Sequence, residues 1–263
     1  MMDQQTRHIL SLSGGKDSTA LAIYLRDRIP ELEYVFCDTE KELPETYAYL
    51  EKLEAFLNRP IVRLKREGQG FDDLLAARNG FLPSGQMRWC TQYLKIEPFE
   101  RYVGDDRAYM YIGIRADENR QGYISTKPNL IPKYPFREDG IDKAGVMRIL
   151  EESGLGLPDY YRWRSRSGCF FCFFQQRQEW VGLLENHPDL YEQAQSYEKI
   201  DERTGVRYTW SARESLAELR RPERIAEIKA EAERRAANQS LVKLRLVDLF
   251  ADDEDDGCLI CHL

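Results

Sequence analysis

The sequence predicts an α/β domain with a mainly parallel sheet and helices on both faces, followed by a helical C-terminal extension. Three observations point there. Short apolar runs alternate with helical patterns through the first two thirds of the chain, the order expected when crossover helices join parallel strands. A Gly-Gly-Lys turn stands between the first apolar run and the first helical pattern. From Ile141 onward strand signals fade and helical periodicity takes over.

The candidate strands are His8 to Ser13, Glu33 to Asp38, Ile61 to Lys65 and Ala108 to Arg115. Between the first two, Leu21, Ile23, Tyr24, Leu25 and Ile29 form one broad apolar helix face. Pro44 opens a second helix that reaches Phe56, because the fixed φ and missing N–H of proline suit a first helical turn. Later helices are read at Lys143 to Ser153, Gln178 to Glu185, Asp189 to Ile200 and Ser211 to about Asn238, with Pro222 splitting the last in two. The chain thus divides into an α/β domain over 1–175, a helical extension over 176–250 and an acidic, mobile tail over 251–263 that ends in Cys-x-x-Cys-His.

At 263 residues, with 42% hydrophobic and 11% aromatic residues, the composition is that of a folded globular chain and not a disordered one. The longest stretch free of Asp, Glu, Lys and Arg runs only from Ser167 to Gln176, well short of the roughly 18 apolar residues that a membrane helix requires. No membrane partner is expected, and the N-terminus lacks the pattern of a signal peptide, so the expected compartment is the cytoplasm. The net charge is −7, and Asp252, Asp253, Glu254, Asp255 and Asp256 supply most of it. The near-neutral body therefore does not exclude a nucleic-acid partner bound by a local patch. His8, His187 and His262 belong to no metal-hydrolase or Ser-His-Asp pattern.

Ser11-Leu-Ser-Gly-Gly-Lys-Asp-Ser-Thr19 follows the first strand and opens the first helix. Gly14 and Gly15 let backbone N–H groups approach a phosphate, Asp17 or Ser18 is placed to cap the helix, and the helix N-terminus favours negative charge. Lys16 supplies a point charge for a phosphate oxygen. The spacing is not Walker A, which has four residues between its first Gly and the Gly-Lys pair.

Ser-Gly-Gly-Lys-Asp-Ser resembles the signature of the PP-loop superfamily, whose members cleave ATP or an adenylyl compound at the α phosphate. Asp38 to Thr46, Arg88 to Lys95, Gly113 to Arg120 and Ser167 to Cys172 further resemble one branch of it. That branch holds the phosphoadenylyl-sulfate (PAPS) reductases and the ATP-using sulfurtransferase subunit of DNA phosphorothioation systems. The resemblance runs from about residue 8 to 175 and weakens beyond. It implies an adenine nucleotide alpha hydrolase-like fold, with Ser13, Gly14, Gly15, Lys16, Asp17, Ser18, Asp38, Arg115 and Arg120 binding the nucleotide. Lys16, Asp17 and Arg115 become the catalytic candidates. Asp38 and Arg115 end strands at the carboxyl edge, where open parallel sheets bind ligands. Each has a plainer reading, a turn aspartate and an arginine paired with Asp117 or Glu118.

The cysteines are Cys37, Cys90, Cys169, Cys172, Cys258 and Cys261. In a chain without an export signal, two C-x-x-C pairs favour metal or redox chemistry over disulfides. In the resembled family Cys90, Cys169 and Cys172 correspond to iron-sulfur ligands, usually of a 4Fe-4S cluster, with Cys37, Cys258 or Cys261 as fourth ligand or one iron left open. Structural zinc and reduced thiols are the alternatives. Cys37 is also readable as a core thiol, since period-2 alternation turns it away from the side that Asp38 faces. The chain departs from cluster-bearing reductases in having Trp89-Cys90-Thr91 where they carry paired cysteines. Arg162, Arg164 and Arg166 alternate with aromatic residues before the C-x-x-C, either as a phosphate-contacting patch or as a solvent face.

The implied activity is adenylylation of a substrate by ATP with Mg²⁺, followed by iron-sulfur-dependent sulfur transfer to nucleic acid or a small molecule. A sulfur-donor protein such as a cysteine desulfurase would supply the sulfur. The alternatives are reduction of an adenylyl sulfate by a C-terminal cysteine and nucleotide sensing within a larger assembly.

Overall fold

The computed structural model describes residues 6–119, 127–200, 204–211 and 213–242, with the side chains of 236 and 238–242 excepted. The first part runs β1 (Arg7–Leu12), α1 (Lys16–Leu25), β2 (Glu33–Cys37), α2 (Pro44–Leu57), β3 (Ile61–Leu64) and α3 (Phe71–Ala77). Next come α4 (Trp89–Thr91), a π-helical turn over Gln92–Ile96, α5 (Glu97–Val103), β4 (Ala108–Tyr111), β5 (Leu130–Lys133), α6 (Pro135–Glu138) and α7 (Lys143–Ser153). The second part holds α8 (Arg177–Asn186), α9 (Pro188–Ser196), the short strands β6 (Lys199–Ile200) and β7 (Arg207–Tyr208), α10 (Leu216–Leu219) and α11 (Pro222–Val242).

The main sheet is parallel throughout, with strand order β3-β2-β1-β4-β5. Both of its faces are buried, and alternation sorts the residues between them. Leu10, Leu12, Tyr34, Phe36 and Tyr111 join Leu21, Leu50, Leu53, Val146 and Leu150 in the core under α1, α2 and α7. Ile9, Val35, Cys37, Ala108 and Met110 face the other way, onto Phe99 and Val103 of α5. The connections from β1 and from β4 leave in opposite directions along the sheet, which opens a crevice beyond the carboxyl ends of those two strands.

A third, aromatic core ties the helical extension to this domain. Phe171 lies 4.3 Å from the Phe71 ring of α3, 5.4 Å from Tyr197 and 5.0 Å from Trp210. Residues on both sides of position 175 therefore share one buried cluster, from Leu43 and Trp89 to Leu219 and Ile228.

The strands at 8–13, 33–38 and 61–65 are present, each ending one residue earlier than the sequence predicts. Ser13, Asp38 and Lys65 instead begin the turns at the carboxyl edge. β4 stops at Tyr111, four residues before Arg115, because Gly113 is pressed onto the backbone of Asp17 and Ser18. β5 escapes the sequence reading because it is a four-residue edge strand that contains Pro132. The helix read over 189–200 ends at Ser196, and Lys199–Ile200 pairs instead with Arg207–Tyr208 in an antiparallel hairpin. Pro222 does separate α10 from α11. Among the described residues no helix is long and apolar enough to cross a membrane.

At the amino ends of the central strands, Arg7 grips Glu33 bidentately at 2.6 and 2.9 Å, and Tyr102 at the end of α5 donates to the same carboxylate at 2.7 Å. The Arg7 hydrogen bond holds the Glu33 carboxyl below its ordinary pKa of 4.5. A depressed folded-state pKa contributes stability above the ordinary value and loses it as pH falls through the folded one. Glu33→Gln should therefore cost about 0.5–1.5 kcal/mol at pH 7, allowing for solvent screening at this partly exposed pair. In denaturant melts against pH, the gap to wild type should narrow as pH falls below 4.5.

Candidate nucleotide and thiol site

The turn from β1 into α1 lies in the crevice, and its conformation follows from two glycines. Gly14 has φ +71°, and a Cβ there would stand 2.6 Å from the Thr46 methyl of α2. Gly15 is the N-cap of α1, where a Cβ would come within 2.6 Å of Ser167 Oγ. Neither Asp17 nor Ser18 caps the helix: Ser18 Oγ donates back to Gly15 O at 3.2 Å and accepts from Ser13 N at 3.2 Å. Asp17 turns toward Arg115 at 3.3 Å.

Arg115 reaches the crevice from the segment after β4 and is ringed by acid. Its guanidinium lies 3.3 Å from Asp17, 3.0 Å from Asp117 and 3.1 Å from Glu118. Burial works against the charge, but these carboxylates outweigh it and hold Arg115 above the ordinary arginine pKa. Arg115 here organises carboxylates, the plainer of its two sequence readings, and Lys16 is the cation carried by the loop itself. Arg120 lies outside the described residues.

Asp38 caps its own turn. Its carboxylate accepts from Tyr47 Oη at 2.8 Å and from Glu40 N at 2.9 Å, and Lys65 Nζ stands 3.5 Å away. Two residues of the same turn reach the C-x-x-C loop: Cys169 Sγ lies 3.2 Å from Thr39 Oγ1 and 3.6 Å from Glu42 Oε1. Burial, reinforced by Glu42, pushes the Cys169 thiol well above the ordinary cysteine range.

Of the cysteines read as iron-sulfur candidates, Cys37 stands apart from the others. Cys90 and Cys169 pack against the aromatic core, whereas Cys37 sits in the α5 core and donates to Lys95 O at 3.5 Å. Burial pushes the Cys37 thiol up to about 12, which suits the core-thiol reading. Cys37, Cys90, Cys169 and Cys172 form no disulfide, and Cys258 and Cys261 lie outside the described residues. Among the described residues, no three His, Cys, Asp or Glu side chains are arranged to hold a metal ion.

The sequence reading singled out 160–167 for its arginines and missed its hydroxyls, which cover the loop. Tyr160 Oη donates to Gly14 O at 2.8 Å, Lys16 N donates to Tyr161 Oη at 3.0 Å, and Ser167 Oγ donates to Ser13 Oγ at 3.0 Å. The arginines that drew attention there diverge. Arg162 is exposed and paired with Asp159, Arg164 is buried against the carbonyls of Gly168 and Cys169, and Arg166 bonds Phe174 O. They do not form a uniform basic patch. The adjacent tyrosines were the usable signal, since a buried phenol needs a hydrogen-bond partner.

Residues 7–127 match the phosphoadenosine phosphosulfate reductase domain family. The match spans under half of the chain, with Ser13–Ser18 and Cys90 inside it and Cys169 and Cys172 beyond it. Two uncharacterized proteins of Methanocaldococcus jannaschii are similar. One is 26% identical over 198 residues, covering 70% of this chain and 40% of that protein. The other is 27% identical over 192 residues, covering 69% and 45%. The chain spans less than half the length of either. An uncharacterized nin region protein of Escherichia phage lambda is 23% identical over 211 residues, covering 67% of this chain and 68% of that one.

Among solved structures, a PAPS reductase from Candida auris in a phosphate complex aligns with TM-score 0.49 and 16% identity, over 62% of this chain and 81% of that one. The U34-tRNA thiolase NcsA from Methanococcus maripaludis, with its 4Fe-4S cluster, aligns with TM-score 0.41 and 16% identity, over 74% and 71%. An NH3-dependent NAD synthetase from Campylobacter jejuni aligns with TM-score 0.41 and 14% identity, over 74% and 85%.

Gly14→Ala combines a left-handed backbone with the Thr46 contact. It should destabilise the fold by about 2–4 kcal/mol, with Gly14→Ala/Thr46→Ser recovering part of the loss in thermal melts.

Proposed function

We propose that the chain binds ATP at Ser13–Ser18 and uses cleavage at the α phosphate to adenylylate an acceptor that is then thiolated. The observation that carries this reading is the Ser167–Ser13 contact of 3.0 Å, which brings the Cys169–Cys172 loop against the phosphate loop. On this reading phosphate and thiol chemistry share one crevice.

In the first step an acceptor oxygen attacks the α phosphorus, the α–β bridging bond breaks, and pyrophosphate leaves. Mg²⁺ would arrive on the nucleotide and screen its phosphates. The α1 N-terminus and Lys16 would stabilise the charge that develops on the phosphate oxygens. Asp17, fixed by Arg115 at 3.3 Å, would keep the first turn of α1 in place. In the second step a sulfur nucleophile displaces the adenylate as AMP. A sulfur-donor protein would bring that sulfur, and a nucleic acid or a small molecule is the acceptor class. No step is routed through a cluster.

The family match over 7–127 favours one second reading, reduction of a sulfonucleotide. There a thiolate attacks the sulfuryl sulfur and displaces the adenylate, with Cys258 or Cys261 as its candidate.

Calorimetric titration of anaerobically purified protein with Mg-ATP, adenylyl sulfate and phosphoadenylyl sulfate separates the two. Thiolation chemistry expects Mg-ATP to bind, neither sulfonucleotide to compete, and Lys16→Ala to weaken binding by roughly tenfold or more. Tighter binding of a sulfonucleotide would overturn it in favour of the reductase. Iron and zinc assay of the same preparation should give well under one equivalent per chain if the described thiols hold no metal.

A further inference from the structure

The phosphate loop does not face the crevice with its donors open. Three of the groups that a phosphate would use are engaged by one segment. Lys16 N donates to Tyr161 Oη at 3.0 Å, Lys16 Nζ donates to Ser165 O at 3.4 Å, and Ser13 Oγ accepts from Ser167 Oγ at 3.0 Å. The ammonium also lies 5.4 Å from the centre of the Tyr161 ring. A phenol oxygen at a helix N-terminus occupies the place where such an N–H receives an anion. Burial pushes the Tyr161 phenol pKa up, so it stays a neutral acceptor.

The same segment is built as a lever. Ser165 N and Oγ both donate to Glu179 Oε1, at 2.7 and 2.6 Å, and that carboxylate is buried in α8. Arg164, also buried, donates to Gly168 O at 3.0 Å and Cys169 O at 2.9 Å. One end of the segment thus holds phosphate donors, and the other is joined through Arg164 to the backbone that carries the Cys169 thiol.

We propose that Tyr161 is a positioning residue that holds the phosphate loop through the Lys16 N–H, and that a bound phosphate displaces it and frees residues 161–167 toward Cys169. The proposal rests on the nucleotide reading above. A charged phosphate oxygen makes a stronger hydrogen bond than a neutral phenol, so the ligand wins the Lys16 N–H. Ser165 and Ser167 give up their partners to the same ligand. The strap that ties the phosphate loop to the C-x-x-C loop is then released at one end only.

Hydrogen exchange read by mass spectrometry, with and without Mg-ATP, tests this on the full chain. Mg-ATP should slow exchange over 13–19 and speed it over 161–169. Tyr161→Phe keeps the ring and removes the competing oxygen, so it should bind Mg-ATP roughly three- to tenfold more tightly. It should also show fast exchange over 161–169 before nucleotide is added. Ser167→Ala should shift both readouts in the same direction by less, and Tyr208→Phe on the exposed hairpin should shift neither. Protection at 13–19 with unchanged exchange at 161–169, or weaker nucleotide binding by folded Tyr161→Phe, would overturn the proposal. Pyrophosphate is titrated in parallel. If it frees the strap and Mg-ATP does not bind, the nucleotide reading fails and the strap stands; if neither ligand binds, both fail.

Discussion

Close backbone approach at the β1–α1 turn sets the terms for everything around it. With φ +71° at Gly14 and a Thr46 methyl where its Cβ would be, the turn fits only against α2. Gly113 lets the chain beyond β4 lie against the backbone of Asp17 and Ser18 on the other side, where a Cβ would come within 3.0 Å of Asp17 O. A third wall comes from Tyr160, whose hydroxyl takes the Gly14 carbonyl at 2.8 Å. Three segments distant in sequence are thereby fixed at one strand end, and each brings its chemistry with it. α2 brings the Asp38 turn with Thr39 and Glu42, the β4 exit brings Arg115, and the tyrosines bring the C-x-x-C loop.

The aromatic core explains why the helical extension belongs to the site and is not an appendage. Phe170 and Phe171 are the two residues inside the C-x-x-C, and both are buried, Phe171 among rings from α3, the end of α9 and the segment before α10. Aromatic contacts of this kind add to the burial energy of each ring, so the loop that carries Cys169 is held by the helices after it as much as by the sheet before it. Phe170 N also donates to Lys41 O at 2.8 Å, which pins that loop to the turn after β2. The thiol loop therefore sits between two firm supports, and the polar contacts to the β1–α1 turn are its third side.

Much of the fold was legible because parallel strands buried on both faces leave continuous apolar runs, as at Ile9–Leu12 and Tyr34–Cys37. The β1–α1 turn was legible because two glycines stand at a strand-to-helix junction. Pairing across the structure was not. Nothing local in the sequence tells whether Arg115 meets a ligand or three carboxylates, because Asp17 lies 98 positions away. Arg162, Arg164 and Arg166 look equivalent in sequence, yet one is exposed, one is buried and one bonds Phe174 O. β5 was invisible because an edge strand four residues long, with a proline in it, carries almost no periodic signal.

The charge balance of the crevice bears on how tightly the loop can hold an anion. Arg115 stands among Asp17, Asp117 and Glu118, so its positive charge is already offset where a phosphate would feel it. Attraction then falls to the backbone N–H groups of α1 and to Lys16, and those are the groups that the 160–167 segment also uses. Competition of this kind is reciprocal: whatever factor the segment removes from nucleotide affinity, the nucleotide removes from the stability of the segment's contacts. A partner that grips the released segment or its thiol loop would raise nucleotide affinity by the same linkage. On the proposed function, sulfur delivery and nucleotide binding would thus be coupled without any residue that touches both ligands.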